Sequence, residues 1–425
     1  MNSSEINNLP EKMIIHGGRK LSGTLDVQGA KNAALPVMAA AILLKNQRLT
    51  LERVPDLYDI RTMCELLTHL GASVEFKNHS MTIDVPEELN YETPVELVRK
   101  MRASSLVLGP LTARCGKVLM PLPGGCVLGS RPLDYHIKGL SKMGAVIELK
   151  NGAVTASADR LKGISMRLDT PSVGATENLM MAAALADGTT FLDNAAKEPE
   201  IVNLAEALRL MGANIKGDGT ETIRIKGVDS LHSAACEIIP DRIEAATYLI
   251  AGVITNGSVT VRGIAPHYVE AIINKLLEAG AEIDTFGEEI TAAYESPLHG
   301  INIKTLPFPG FPTDTQPQFM ALLTLAEGTS VIHESIFDSR LGHIDEFKKM
   351  GAKIEVSEDL AIVTGVKKLN CASVRASNLR AGAALILLGL AAEGDTVISD
   401  LQHVWRGYEG LVEKLLSIGA DIEFA

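Results

Sequence analysis

Two kinds of apolar pattern alternate along the chain. The first is amphipathic: CELLTHL before Gly71, HIKGLSKM before Gly144, LAEALRLM before Gly212, IINKLLEA before Gly280, HIDEFKKM before Gly351 and LVEKLLSI before Gly419. Leu, Ile or Met recurs at i, i+3 and i+4, which lays one apolar stripe along a helix. The glycine stands where a helix takes a left-handed C-cap. An alanine and a short alternating run follow, so each phrase predicts surface helix, cap, strand. In VIELKNGAVTAS, Asn151-Gly152 predicts a hairpin turn between two strands.

The second kind is apolar nearly all round: AALPVMAAAILL, ENLMMAAALADG, IEAATYLIAGVITNG, PQFMALLTLAEG and AGAALILLGLAAEG, with MRASSLVLGPLTARCG in the remaining place. A helix with no polar face has to be buried. The six glycines are spaced by 73, 68, 68, 71 and 68 residues. A period near 70 is too long for a solenoid of short repeats, so each copy is a small subdomain. The unit reads strand, buried helix, strand, surface helix, strand, strand. The fold class is therefore α/β, with six units dividing three and three. The expected domains are residues 31–239, carrying the Cys126 segment, and residues 1–30 with 240–425, formed by both chain ends.

Composition narrows the function. The chain has 425 residues, 46% hydrophobic and 22% charged, with only 4% aromatic, so Ala, Leu, Ile, Val and Met build the core. Forty Lys and Arg against 52 Asp and Glu leave a net charge of −12. No basic run offsets this, which argues against nucleic acid and anionic membranes as partners. The five cysteines (Cys64, Cys115, Cys126, Cys236, Cys371) include no Cys-x-x-Cys pair. A disulfide framework or a metal site is not expected, and reduced thiols fit a cytoplasmic location. The start, MNSSEINNLPEK, lacks the apolar core of a signal peptide. The longest apolar runs, such as 381–392, fall short of the roughly 18 residues of a membrane helix.

Chemistry concentrates where the buried helices begin: Lys31-Asn32, Arg102, Ser172 to Glu177, Asp241-Arg242, Asp314 to Gln316, and Asn378 to Arg380. A cation at a helix N-terminus opposes the macrodipole by roughly 0.3–1 kcal/mol. Several at equivalent places call for a reason, and an anion attracted to the same termini supplies one. Asp241-Arg242 also reads as a local ion pair, and Glu198 and Glu200 as helix-start residues. His136 and His403 read as hydrogen-bonding scaffold. CGKVLMPLPGGCVLGSRPLDYH, from Cys115 to His136, is rich in Pro and Gly and reads as a long binding loop. Its Cys126, five residues before Arg131, is either an inert filler or a thiol activated by the nearby cation.

These residues carry a family resemblance. GAKNAALP (29–36), MRAS (101–104), LPGGCVLGSRPLDYH, SVGAT (172–176), KEPEIVN (197–203), PDRIEA (240–245), FPTDTQ (311–316), LRAGAAL (379–385) and RGYE (406–409) stand in one order along nearly the whole chain. The sequence resembles the UDP-N-acetylglucosamine 1-carboxyvinyltransferases, enolpyruvyl transferases of bacterial peptidoglycan synthesis. The resemblance implies a two-domain inside-out α/β barrel. It also implies transfer of the enolpyruvyl group of phosphoenolpyruvate to the 3′-hydroxyl of UDP-N-acetylglucosamine, with release of phosphate. No cofactor or metal is implied, and the oligomeric state is left open.

The same resemblance implies residue roles. Cys126 donates a proton to C3 of phosphoenolpyruvate, can add to it covalently, and is the group that fosfomycin would alkylate. Asp314 takes the hydroxyl proton and touches the sugar. Lys31 and Asn32 belong to the phosphoenolpyruvate site, where Arg131 and Arg406 hold phosphate and carboxylate and Arg380 joins them. Arg102, Arg131, Pro132, Leu133, Asp134, Tyr135, Thr170, Pro171, Ser172, Val173 and Ile336 are UDP-sugar contacts, and Arg340 stands close by. The domains would close on the sugar, with the Cys126 loop as lid. Two positions depart from the family pattern: Asn378 and Trp405 stand where aspartates are usual. The loss of two carboxylates beside Arg380 and Arg406 leaves two alternatives open: a paralogue with another acceptor, or one that binds UDP-sugar and regulates a partner.

Overall fold

The computed structural model describes residues 10–122, 133–337 and 339–425. Cys126, Arg131 and Pro132 lie outside the described residues. The described chain divides into two compact units. One comprises residues 10–28 and 240–425; the other comprises 29–122 and 133–239. Each has its own hydrophobic core.

The apolar segments form the expected buried helices: α1 (Lys31–Ala40), α2 (Leu108–Cys115), α3 (Val173–Ala184), α4 (Arg242–Ile254), α5 (Gln316–Leu323) and α6 (Leu379–Ala391). In the 240–425 unit, α4, α5 and α6 pack on one another pairwise. The other unit departs from that pattern. MRASSLVLGPLTARCG is not one helix: a 3-10 segment, Arg102–Val107, precedes α2. Pro110 lies in the first turn of α2, where a missing N–H costs nothing; farther inside it would cost a backbone hydrogen bond. α1 likewise ends in a 3-10 turn, Ala41–Leu43.

The Gly-Ala phrase has a single physical meaning. All six glycines have positive φ, from 89° to 108°. At each, the glycine N–H bonds the carbonyl three residues back, and the alanine N–H bonds the carbonyl five back, as in Gly71→Thr68 and Ala72→Leu67. That is the Schellman pattern, with glycine at the left-handed position and the next residue turned inward. The six alanines are all buried, as the motif's hydrophobic contact requires.

Among the described residues the strands form six separate sheets, none closed on itself. In the 29–239 unit, Gln47–Glu52 lies between Ser80–Val85 and the parallel Ala234–Glu237, so the unit's last strand returns to its first sheet. Ala153–Ser157 pairs with Lys117–Pro121 and Val146–Lys150; the hairpin turns at Asn151 and Gly152, both with positive φ. Thr189–Asp193 lies between Ser165–Arg167 and Thr222–Lys226, with Asn214–Lys216 beyond. In the other unit the N-terminal strands Lys12–Gly17 and Ser22–Asp26 join sheets built from residues 258–424, pairing with Gly394–Ser399 and Ser258–Arg262. Its third sheet runs Asn302–Lys304, Thr329–His333, Leu360–Thr364, Lys353–Ser357.

Among the described residues no helix is long and apolar enough to cross a membrane. The four described cysteines are unpaired thiols.

Close packing at Gly29, just before α1, generates a stability prediction. A methyl group there would stand 1.8 Å from the Arg53 carbonyl oxygen and 3.4 Å from Ile238 Cγ2. Backbone has to move to admit it, so Gly29→Ala should cost about 1–3 kcal/mol. Urea unfolding followed by circular dichroism should show a lower midpoint with an unchanged slope; an unchanged midpoint refutes the overlap.

Candidate active site

In the unit of residues 29–239, the polar groups gather at the starts of α1 and α3. Lys31 opens α1 with no side-chain cap beneath it. Its Nζ donates to Asp59 Oδ2 at 3.1 Å, and Asp59 is buried in the first turn of helix Tyr58–His69. There the helix dipole favours the carboxylate, which in turn offsets the cost of a cation at the start of α1. Asn32 beside it is exposed.

At α3, Ser172 is the N-cap, its Oγ accepting from Ala175 N–H. Tyr135 and Thr170 come together: the phenol oxygen accepts from Thr170 N–H at 3.2 Å and lies 3.3 Å from Thr170 Oγ1. Leu133 is buried at the cap of helix Asp134–Lys142, Asp134 and Val173 are exposed, and Pro171 is half-buried. His136 is buried close to Gly174. Burial, then the charge of Arg102, pushes its pKa down to about 4 against the pull of Asp134. The imidazole is therefore neutral. Among the described residues its buried Nδ1 has no hydrogen-bond partner, so the expected scaffold bond is not made there at that nitrogen.

Glu177, inside α3, is fully buried; burial and then the charges of Glu200 and Glu198 push its pKa well above the usual carboxylate range. Glu198 is the N-cap residue and Glu200 stands in the first turn of helix Pro199–Leu210, consistent with their reading as helix-start residues.

In the other unit the centre is Asp314, in the 3-10 turn Thr313–Thr315 that leads into α5. Arg340 Nη2 donates to its Oδ1 at 2.7 Å and Arg380 Nη2 to its Oδ2 at 2.9 Å. Arg340 and Arg380 are 2% and 6% exposed, so two nearly dry guanidinium groups share one carboxylate. Arg340 also donates to the Thr313 carbonyl. Burial works against the charge of Arg380, but Asp314, with Tyr408 and Asp241, outweighs it and holds the pKa above the ordinary arginine value.

Glu334, which motif reading does not single out, fixes this region. It accepts from Thr305 and Thr313 hydroxyls and from the backbone N–H groups of Ile336 and Phe337. It thus sets Ile336 and ties its loop to the Asp314 turn. Asp59 was missed as well. Neither forms a motif of its own; both act on partners about 20 to 30 residues away, which only the fold brings near.

Two flanking positions serve as helix caps. Asp241 serves as the N-cap of α4, accepting from Ile243 and Glu244 N–H, a role that the ion-pair reading did not include. Asn378 caps α6, accepting from Arg380 and Ala381 N–H. Asn and Asp cap comparably, so the start of α6 is held without the carboxylate. Trp405 Nε1 donates to the Pro10 carbonyl. Arg406, half-buried next to it, is near enough to lower the His403 pKa, after burial. Among the described residues no cluster of three His, Cys, Asp or Glu side chains could hold a metal ion.

The family model described as EPSP synthase (3-phosphoshikimate 1-carboxyvinyltransferase) matches residues 15–415. The chain belongs to this family. Within it, the chain is 50% identical over 412 residues to the UDP-N-acetylglucosamine 1-carboxyvinyltransferase of Desulfosudis oleivorans, covering 97% of this chain and 99% of that protein. It is equally 50% identical, over 416 residues, to UDP-N-acetylglucosamine 1-carboxyvinyltransferase 1 of Staphylococcus aureus, with the same coverage. Among solved family structures, the enolpyruvyl transferase NikO of Streptomyces tendae superposes with a TM-score of 0.88 at 27% identity, covering 97% of this chain and 99% of that one. EPSP synthase of Acinetobacter baumannii, at 20% identity and a TM-score of 0.75, shares the fold with the same coverage.

His343 gives the site a pH dependence. It is fully buried behind Arg340, its Nδ1–H donating to the Arg340 carbonyl at 3.0 Å. Burial pushes its pKa down from 6.5 to about 4. The unfolded chain protonates this group first as pH falls. The stability is therefore complete above pH 6.5 and is lost between about 6.5 and 4, by up to about 3 kcal/mol. His343→Asn keeps a donor for the carbonyl without a titrating ring. Its melting temperature should fall less than that of the parent between pH 7 and pH 5; equal falls refute the assignment.

Proposed function

We propose that this chain transfers the enolpyruvyl group of phosphoenolpyruvate to the 3′-hydroxyl of UDP-N-acetylglucosamine, releasing phosphate, in the first committed step of peptidoglycan synthesis. The observation that carries this reading is 50% identity, over 97% of the chain, to proteins named for that reaction. We further propose the finer architecture of the family, an inside-out α/β barrel of six repeats. Its domains would be 31–239 and 1–30 with 240–425, in a cytoplasmic protein.

The chemistry is an addition followed by an elimination. The 3′-oxygen bonds to C2 of phosphoenolpyruvate as its proton leaves and C3 gains one. The C2–O bond to phosphate then breaks as C3 gives a proton back. Asp314 is the group for the hydroxyl proton, and its orientation by Arg340 and Arg380 supports that role. Cys126 is the group for the proton at C3. Lys31, with Asn32, Arg131, Arg406 and Arg380, would hold phosphate and carboxylate, for which guanidinium forks are suited. Lys31 is held by Asp59 and Arg380 by Asp314, so both are oriented before an anion arrives. Arg102, Arg131 to Tyr135, Thr170 to Val173, Ile336 and Arg340 would contact the UDP-sugar. The steps need no redox cofactor, since they move only protons, form one carbon–oxygen bond and break another.

Phosphate release from phosphoenolpyruvate plus UDP-N-acetylglucosamine tests the reading. Release should require both substrates and fall about 10²- to 10⁴-fold in Cys126→Ala, the usual contribution of a proton-transfer group. Failure of the parent protein to release phosphate, while it still binds the UDP-sugar, would favour a binding role. Incubation with fosfomycin should add one inhibitor mass to the peptide holding Cys126; an unmodified peptide would refute a reactive thiol.

A further inference from the structure

The helices α4, α5 and α6 are largely apolar, but polar side chains meet in the core beside them. There Thr247 of α4, Gln318 of α5 and Tyr408, two residues after Arg406, meet, each at most 3% exposed. Thr247 Oγ1 donates to the Ile243 carbonyl at 2.8 Å, within its own helix. Its hydrogen is thereby committed, so the Tyr408 hydroxyl, 2.8 Å away, must donate to it. Gln318 Nε2 donates to both hydroxyl oxygens at 3.3 Å. The Tyr408 hydroxyl thus donates to Thr247 and accepts from Gln318.

Above it lies the guanidinium. Arg380 Cζ stands 5.9 Å from the centre of the Tyr408 ring. Arg380 also holds Asp314 at 2.9 Å. The phenol's remaining acceptor capacity and its ring face are both available to that cation. The Tyr408 pKa is accordingly pulled down by Arg380 against the larger upward push of burial. Three buried polar groups cost more to desolvate than an apolar contact of the same shape. Their placement directly beneath a nearly dry guanidinium gives them a task other than helix packing.

We infer that Tyr408, fixed by Thr247 and Gln318, is a positioning residue that sets the rotamer of Arg380 and through it the Asp314 carboxylate. The kinetic half of its test rests on the function proposed above; the geometric half does not. Tyr408→Phe keeps the ring and removes the hydroxyl, and Gln318→Met removes the amide while Tyr408 and Thr247 remain. Arginine side-chain NMR, with Arg380 assigned from Arg380→Lys, reads the guanidinium directly. A held guanidinium gives separate, slowly exchanging Nη hydrogens in the parent protein, and these should average in Tyr408→Phe. In turnover, KM for phosphoenolpyruvate should rise about 5- to 20-fold and kcat should fall. KM for UDP-N-acetylglucosamine should rise less, because Arg340 still holds Asp314, and Gln318→Met should show the same pattern more weakly. Unchanged Nη signals in folded Tyr408→Phe overturn the inference, as does a lowered melting temperature with both KM values and kcat intact. If Tyr408→Phe does not fold, Gln318→Met carries the same two readouts. If the parent protein shows no turnover, the functional reading fails, and the NMR result alone decides the positioning role.

Discussion

The shared carboxylate of Asp314 is the interaction on which its unit's polar chemistry depends. Arg340 and Arg380 are almost entirely removed from water, and a guanidinium cannot shed its proton to relieve the cost. Each must therefore keep an anionic partner, and one carboxylate serves both. Breaking a buried pair from one side costs several times what the pair contributes, because a bare charge is left behind. Loss of Asp314 would leave two such charges. The aspartate is thus structural and chemical at once, and Glu334 and Tyr408 lie just behind it for the same reason. Glu334 ties the turn holding Asp314 to the loop carrying Ile336, while Tyr408 limits where Arg380 can turn.

The second unit solves a similar problem with different residues. Lys31 begins a helix whose dipole disfavours it, and Asp59 begins another whose dipole favours it. Bonding the two converts two local preferences, one unfavourable, into a fixed ammonium. Glu177 takes the opposite course. Buried and facing Glu198 and Glu200, it lowers its cost by staying protonated. The same unit therefore holds a charge where a counter-charge meets it and discharges a carboxyl where none of the groups perturbing it is cationic.

Legibility in the sequence follows the range of the interaction. The Gly-Ala caps, the Asn151-Gly152 turn and the apolar helices are local, and each is written in adjacent residues. The segment from Arg102 to Cys115 is equally local but ambiguous. Its apolar content reads as helix, and only the restriction imposed by Pro110 shows why the α-helix starts late. The candidate site was legible as a set of helix starts, which located Lys31, Ser172, Asp314 and Arg380. Its supports were not, because Asp59, Glu334, Gln318 and Thr247 bear no signal until folding brings them to their partners. An aspartate in a surface helix, or a glutamine in an apolar one, is an ordinary residue until the contact exists.

The departure at position 378 shows why charge counting alone misleads. Reading Asn378 as a missing carboxylate treats the position as electrostatic, and predicts a disturbed Arg380. The side chain instead does a capping task, in which only its carbonyl oxygen accepts bonds, from the N–H groups of Arg380 and Ala381. An amide performs that task as well as a carboxylate does. A carboxylate there would accept the same two N–H bonds, so the cap does not depend on its charge. The neutral cap leaves the start of α6 in place, and Asp314 holds the guanidinium of Arg380. Compensation at this helix start is therefore concentrated in the residue that the proposed reaction also needs, which couples the orientation of the arginine to the state of the base.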